Sequence, residues 1–256
     1  MNDFDSRFGG IQRLYSTEGL ERLRRARVCV VGIGGVGSWA AEALARSAVG
    51  HITLVDLDDI CVSNINRQSH AVEGVVGRPK VTIMGARIEA INPSCEVRAV
   101  PEFFNEASAA EILQTRFDWV FDAIDQVANK CLLIARCRQR EIPVISSGGA
   151  GGRKNPLEIR LADLSQMAGD ALLQQVRKRL REEHGFAGDP KTLLNVPCVF
   201  SRERAVYPAG CEAVGGLNCD SGYGAASFVT GAFGFAAASC IVSNIAAGCQ
   251  YGTRDS

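Results

Sequence analysis

A glycine-rich stretch, VGIGGVG at positions 31–37, follows an apolar run and precedes an Ala-rich segment. Glycines at such a point let the backbone approach a phosphate, and the amino terminus of a following helix stabilises the negative charge. Asp56 ends the next apolar run, where a carboxylate can accept hydrogen bonds from ribose hydroxyls. A nucleotide site is therefore predicted, and its candidate glycines are Gly32, Gly34, Gly35 and Gly37.

Two cations beyond Asp56 indicate which nucleotide is bound. An NAD-binding oxidoreductase would share the glycines and the aspartate, but it has no need of Arg67 in SNINRQ or Lys80 in GRPK. A triphosphate does need cations: Arg67 can bond two phosphate oxygens, and Lys80 offers a point charge. Two solvated surface cations are the alternative. The order of these residues favours ATP, with Arg67 and Lys80 as catalytic candidates.

A carboxylate pair, Asp122 and Asp125 in DAID, closes the fourth predicted strand. In an open α/β sheet the carboxyl end of this strand faces the same crevice as the glycine loop. A carboxylate there can hold Mg²⁺ that bridges phosphate oxygens. We expect Asp122 to be a structural group within the strand end and Asp125 to be the metal ligand and a catalytic residue.

Alternating elements must position these residues. Strands are predicted at 28–31, 51–55, 95–100, 119–121 and 143–145. Helices are predicted from Thr17 as N-cap to about Ala26, at 36–48, from Pro79 to about Ile91, and at 106–115 and 126–140. This alternation predicts an α/β fold: a Rossmann-like, doubly wound, mostly parallel sheet with helices on both faces and a C-terminal extension.

The pattern changes after the glycines at 148–152. A strand is predicted at 157–161 and a helix at 169–183, with Leu172, Val176 and Leu180 facing the core. Residues 184–220 are interpreted as loops and short strands, and as a mobile segment over the active site. We interpret 1–256 as one domain. Its ATP-binding half is 1–150, and its C-terminal half, 151–256, holds the substrate loop and an uncharged helical segment.

Composition and cysteine spacing argue against three properties: a strong net charge, a zinc site and export from the cell. Lys plus Arg and Asp plus Glu both number 28, so no global field attracts a polyanion, although a local basic patch would suffice for tRNA. The ten cysteines form no CxxC pair, so no zinc is expected. The amino terminus MNDFDSRFGG lacks a signal-peptide pattern, which favours the cytoplasm.

The stretch 221–253 carries no charge and could span a bilayer. Its Ala, Gly, Ser and Thr content favours a buried or dimer-packing helix, with association with the inner membrane as the alternative.

The motifs resemble, in order and spacing, the ubiquitin-activating-enzyme superfamily, whose bacterial members include the MoeB and ThiF adenylating enzymes. The resemblance covers residues 7–150 and is carried by GIGGVG, LVDLDDICVSNINRQ, GRPK and FDAID. It implies that the chain binds ATP through Gly35, its ribose through Asp56, and its phosphates through Asn64, Arg67 and Lys80. It implies Mg²⁺ on Asp125. We include Asp58, in the same run as Asp56, among the cofactor-binding candidates.

Further segments resemble the branch of this superfamily that dehydrates threonylcarbamoyladenosine in tRNA: RFGGIQRLY, IPVISSGGAGG, PCVFS and CDSGYGAASFVTGAFGF. This resemblance implies that the chain adenylates a carboxylate on a tRNA nucleoside and that it acts as a homodimer. Cysteine desulfurase or sulfur-acceptor proteins are candidate further partners. Adenylation of a ubiquitin-like sulfur-carrier protein is the first alternative. MoeB and ThiF typically carry two CxxC pairs, which are absent here. The second and third alternatives are an NAD-binding oxidoreductase and an inactive scaffold that recruits a cysteine desulfurase.

Several assignments stay open at this level. MoeB-like enzymes send an N-terminal arginine to the partner's ATP, and here either Arg7 or Arg13 could serve. Cys211 and Cys219 are either transient acyl acceptors or inert thiols. The densest basic cluster, at 177–181, is the candidate tRNA-binding surface. The alternative is a solvated helix face whose positive charge is balanced by Glu182 and Glu183. The cationic residues of this cluster are Arg177, Lys178, Arg179 and Arg181, and the next cluster consists of Arg136, Arg138 and Arg140.

Overall fold

A seven-stranded sheet forms the centre of the computed structural model, which describes residues 3–206 and 224–248. Its strands are β1 Arg27–Val31, β2 His51–Val55, β3 Glu96–Val100, β4 Trp119–Asp122, β5 Val144–Ser147, β6 Ile159–Asp163 and β7 Pro197–Ser201. Their order is β3-β2-β1-β4-β5-β7-β6, and every neighbouring pair is parallel except β6 with β7. The predicted mostly parallel sheet is confirmed.

Helices cover both faces of this sheet, as predicted. They are α1 Asp3–Arg25, α2 Gly35–Arg46, α3 Lys80–Ile91, α4 Ala109–Ile112, α5 Val127–Gln139, α6 Ala171–Glu183 and α7 Ser227–Ala247. One core holds side chains of α2, α3 and α7, and the other holds those of α4, α5 and α6. In β1, Val28 and Val30 point into the first core while Cys29 and Val31 point into the second. Burial on both faces explains why β1 is continuously apolar from Val28 to Val31.

The strand order reverses at β1, which pairs with β2 on one side and β4 on the other. In open α/β sheets a ligand crevice lies at this switch point, outside the carboxyl ends of the strands. The turns after β1, β2 and β4 therefore meet at one edge. These turns carry the predicted site residues.

Three local predictions were wrong. Ser16, at φ 68°, interrupts α1, and its Oγ accepts a hydrogen bond from the Gly19 N–H at 3.3 Å, so Ser16 rather than Thr17 caps the second part. Leu173, not Leu172, faces the core from α6, because it shares one helix face with Val176 and Leu180, three and seven residues later. The helix predicted at 106–115 is the single turn α4, since Asn105 and Ser108 direct their side chains to nearby backbone groups.

The second half extends the same sheet through β6 and β7. The predicted loop region at 184–220 contains β7, while the remainder from 207 onward, with Cys211 and Cys219, lies outside the described residues.

Helix α7, which comes from the uncharged stretch, is long and apolar enough to cross a membrane, judged by length and composition only. Within its apolar 18-residue stretch, however, 61% is buried inside the protein. Its Phe235 meets Trp39 of α2 edge to face at 5.8 Å. This packing agrees with the prediction of a buried helix.

Candidate active site

The glycine loop forms the tight turn between β1 and α2. Gly32 has φ 92°, and a Cβ there would lie 2.8 Å from the carbonyl oxygen of Ala123, in the turn after β4. A Cβ at Gly37 would overlap the carbonyl oxygen of Gly32 at 1.8 Å. Only glycine allows these two approaches. Gly34 is the N-cap and Gly35 the first residue of α2, so the first-turn N–H groups face the crevice.

Asp56 fastens this loop to the end of β2. Its Oδ2 accepts a hydrogen bond from the N–H of Ile33 at 2.6 Å, and its Oδ1 accepts one from the N–H of Asp58 at 2.9 Å. Burial raises the pKa of Asp56, while the charge of Lys80 acts against that shift. The aspartate predicted to bind ribose therefore also shapes the loop predicted to bind phosphate.

Lys80 lies between two carboxylates at the start of α3. Its Nζ is 2.7 Å from Asp58 Oδ2 and 3.9 Å from Asp56 Oδ1, and its side chain is 7% exposed. Asp58, with 53% of its side chain exposed, can move away from this pair. The ammonium group is therefore held at the crevice with one displaceable partner, an arrangement that a phosphate can enter.

Asn64 is the last residue of a 3₁₀ turn at Val62–Asn64, and Arg67 lies three residues after it. Asn64 is buried, and its side-chain oxygen accepts the N–H of Cys61 at 3.0 Å, so its amide NH₂ remains the group suited to a phosphate. The Arg67 guanidinium donates through Nη1 to Ser63 O at 2.6 Å and to Asn66 Oδ1 at 3.1 Å. These two neutral acceptors orient the guanidinium.

The turn after β4 rests on a fully buried ion pair. Asp122 and Lys130 are both 0% exposed, with Oδ2 and Nζ 2.8 Å apart. Ser146 of β5 donates to the same carboxylate at 2.7 Å, and the Ile124 N–H donates at 3.2 Å. The structural role expected for Asp122 is observed. The sequence analysis missed Lys130, because it lies eight residues after Asp122 and no neighbouring residue indicates that the two side chains form a pair.

Asp125 is exposed one turn beyond this pair, on the edge shared with the glycine loop. No group of three metal-ligating side chains occurs among residues 3–206 and 224–248. Mg²⁺ in nucleotide sites is bound by one or two carboxylates together with phosphate oxygens and water. Asp125 therefore fits a magnesium ion that arrives with a nucleotide.

His70, behind the crevice, is a second residue that sequence reasoning missed. It is 2% exposed, and neither ring nitrogen has a hydrogen-bond partner within the described chain. Burial, followed by the charges of Lys80 and Arg87, lowers its pKa to about 4. The imidazole is therefore neutral at physiological pH and adds no charge beside Lys80.

The basic cluster on α6 is largely committed to the fold. Arg177 donates to the carbonyl oxygens of Leu164, Ser165 and Met167 at 2.8–3.3 Å, and Arg181 donates to that of Ala187 at 3.0 Å. Arg179 is paired with Glu183, and Lys178 lies 4.0 Å from Glu182. These contacts favour the balanced helix face over a tRNA surface.

The alternative cluster on α5 is also engaged. Arg136 pairs with Glu106, Arg138 lies over the ring of Phe186 at 4.2 Å, and Arg140 donates to the Leu113 carbonyl at 2.5 Å. This side of α5 borders a cleft of about 1020 Å³ at the amino-terminal ends of the strands, away from the glycine loop. The candidate active site lies at the opposite edge.

The two N-terminal arginines differ in their partners. Arg7 pairs with Asp3 at 2.7 Å within α1 and also donates to the Ile91 carbonyl at 3.4 Å. Arg13 is exposed and makes no ion pair within the described part of the chain. Of the two, Arg13 is the residue whose charge is available to a second subunit.

Comparison with known proteins identifies a family and close relatives of the chain. The family model "ThiF family" matches residues 10–219. The chain is 44% identical over 248 residues to tRNA threonylcarbamoyladenosine dehydratase of Haemophilus influenzae, covering 96% of this chain and 95% of that one. It is 46% identical over 243 residues to the protein of the same name from Escherichia coli, covering 91% of each. The solved E. coli tRNA N6-threonylcarbamoyladenosine dehydratase in complex with ATP matches with a TM-score of 0.89 at 43% identity over 97% of both chains.

Proposed function

The chain belongs to the ThiF family, and we propose that it is an ATP-dependent, ligase-type enzyme that cyclises threonylcarbamoyladenosine in tRNA by adenylating its carboxylate. The similarity to dehydratases over nearly the whole chain carries this proposal. The crevice supports it, since two cations, a helix amino terminus and a carboxylate meet at the switch point. An NAD-binding oxidoreductase would have no use for Lys80 between Asp56 and Asp58.

The chemistry has two steps. A carboxylate oxygen of the threonyl group attacks the α-phosphorus of ATP, and the bond to pyrophosphate breaks, giving an acyl-adenylate. The neighbouring carbamoyl group then attacks the acyl carbon, the ring closes, and AMP leaves with the oxygen lost from the carboxylate. Because the second attack is intramolecular, its effective molarity is high and no nucleophile from the enzyme is needed.

Each site residue has a role in this scheme. Gly32, Gly34, Gly35 and Gly37 admit the phosphates to the start of α2, and Asp56 holds the ribose beside them. Arg67, Lys80 and the amide of Asn64 stabilise charge that develops on the phosphates. Asp58 gives up Lys80 when the nucleotide enters. Asp125 would hold Mg²⁺, which when bound supplies positive charge to the phosphate oxygens.

The assembly we infer is a cytoplasmic homodimer in which the whole chain is one domain. Residues 1–150 bind ATP and 151–256 complete the substrate site. Two phenylalanines on α7 support a subunit contact, because Phe228 is 59% and Phe235 50% exposed although the helix is otherwise largely buried. Arg13 is the arginine we assign to the partner's ATP. Binding of a cysteine desulfurase or sulfur acceptor stays a prediction, which co-purification from cells would check.

The deciding experiment supplies purified protein with ATP, Mg²⁺ and tRNA that carries the open nucleoside. Mass spectrometry of digested tRNA should show the cyclic nucleoside, with one pyrophosphate released per ring. Arg67→Ala and Asp125→Asn should each lower kcat/KM by about a hundredfold or more. Arg160→Ala, at an exposed arginine of edge strand β6, is the matched control and should retain activity.

Other outcomes would identify a different function. Pyrophosphate release that requires a ubiquitin-like carrier and ignores tRNA would point to a sulfur-carrier enzyme. Quenching of protein fluorescence by NADH, unaffected by Arg67→Ala, would point to an oxidoreductase.

A further inference from the structure

The carbonyl oxygen of Arg67 accepts two hydrogen bonds from side chains that are far apart in the sequence. The indole Nε1–H of Trp39, in α2, donates at 2.9 Å. The hydroxyl group of Thr230, in α7, lies 3.2 Å away, with carbonyl oxygens of its own helix at 3.3 and 3.4 Å. A helix on each side of the turn therefore holds one backbone atom of the residue that we assign to the phosphates.

The same three elements are in direct contact at the glycine loop. A Cβ at Gly35 would lie 3.1 Å from Cγ2 of Thr230 and 3.4 Å from Cγ of Arg67. Thr230 is 3% exposed, so its methyl and hydroxyl groups are both enclosed at this junction. The start of α2, the Arg67 turn and α7 thus form one packed unit.

A further bond links the turn to the residues before α7. The side-chain NH₂ of Asn66 donates to the carbonyl oxygen of Ala225 at 2.8 Å. Asn66 also accepts from the Arg67 guanidinium. The backbone and the side chain of Arg67 are therefore both connected to the α7 region, which lies more than 150 residues later in the chain.

We propose that Thr230 and Trp39 are positioning residues for Arg67, and that α7 is thereby part of the phosphate-binding apparatus. This inference rests on the proposed function, because it takes Arg67 as a ligand of ATP. Arg67 lies in a turn outside the sheet, where no strand pairing holds its backbone. A guanidinium on a long side chain reaches a phosphate reproducibly only when its own backbone is fixed.

The test uses single conservative variants of the full chain. Thr230→Val keeps the shape and removes the hydroxyl, and Trp39→Phe keeps a ring and removes the N–H. Each should lower kcat/KM for ATP by about tenfold, the effect of one hydrogen bond, with KM for tRNA unchanged. Thr230→Ser keeps the hydroxyl and should recover most of the activity. Thermal unfolding of each variant reports any loss of the fold separately.

A double-mutant cycle separates positioning from general packing. If Thr230 acts through Arg67, Thr230→Val should have little further effect on kcat/KM in an Arg67→Ala background. An equal tenfold loss in that background, or normal kinetics of both Thr230→Val and Trp39→Phe, would overturn the inference. Normal kinetics of Arg67→Ala itself would instead refute the assignment of Arg67 in the proposed function.

Discussion

Lys130→Met tests whether the buried ion pair supports the turn after β4. Lys130 and Asp122 are both fully enclosed, with nitrogen and oxygen 2.8 Å apart, and Met replaces the Lys side chain with one of similar length. The carboxylate would keep the Ser146 hydroxyl and the Ile124 N–H but lose its only cation within the described contacts. Removal of one partner from a buried pair leaves an uncompensated charge and costs about 3–5 kcal/mol of stability.

This loss should depend on pH in a defined direction. Burial already raises the pKa of Asp122, and without Lys130 the pKa rises further, because the folded protein then retains a proton on the carboxyl. A carboxyl whose pKa is higher in the folded state reduces stability as pH rises, by up to about 1.4 kcal/mol per pH unit. The destabilisation by Lys130→Met should therefore be smaller at pH 6 than at pH 8, by at most about 2.7 kcal/mol over these two pH units.

Urea unfolding of wild type and variant at both pH values measures this difference. The double variant Asp122→Asn, Lys130→Met is the control, because it has no carboxyl to titrate and should show the same stability difference at both pH values. A loss below 1 kcal/mol at pH 8, or a loss equal at both pH values, would refute the reasoning.

Two further predictions concern His70 and the subunit contact. Because the folded-state pKa of His70 is about 4, below its unfolded value of about 6.5, its contribution to stability is complete above pH 6.5 and is lost as pH falls. About 2 kcal/mol should disappear between pH 8 and pH 5, and His70→Phe should abolish that part of the dependence in urea titrations. In a dimer with Arg13 acting in trans, mixed Arg13→Ala and Lys80→Ala subunits should regain about a quarter of wild-type turnover. No recovery after verified subunit exchange would exclude that arrangement.

The regular elements of the first half could be predicted because local pattern and tertiary environment agree there. His51–Val55 was predicted to the residue, since a run of only five residues that is rich in β-branched side chains is too short for a helix and typical of a buried strand. Boundaries failed where a side chain met its own backbone, as at Ser16, whose hydroxyl caps the helix one residue earlier than Thr17 would. In α6, Leu172 and Leu173 both have helical spacing to Val176 and Leu180, so periodicity alone could not decide which of the two leucines is buried.

The site was predictable where residue type alone indicates chemistry. Glycine, aspartate, arginine and lysine in this order behind a strand are typical of a site that binds phosphates. Lys130, Thr230 and Trp39 could not be predicted in this way, because each acts through a contact set by tertiary packing. A lysine in an amphipathic helix and a threonine in an apolar helix ordinarily have no role beyond the helix itself.

The three turns at the carboxyl edge are attached by largely enclosed polar groups. Asp56 holds the glycine loop to β2, the Lys130–Asp122 pair holds the turn after β4, and the Arg67 carbonyl is held by α2 and α7. The groups suited to ATP lie at the outer ends of these turns. Electrostatic stabilisation is most effective when dipoles and charges need no rearrangement during the reaction. Buried hydrogen bonds and the buried ion pair hold these turns in a single geometry. This requirement explains why fully enclosed charges lie at this edge, although exposed charges would be enough to bind a nucleotide.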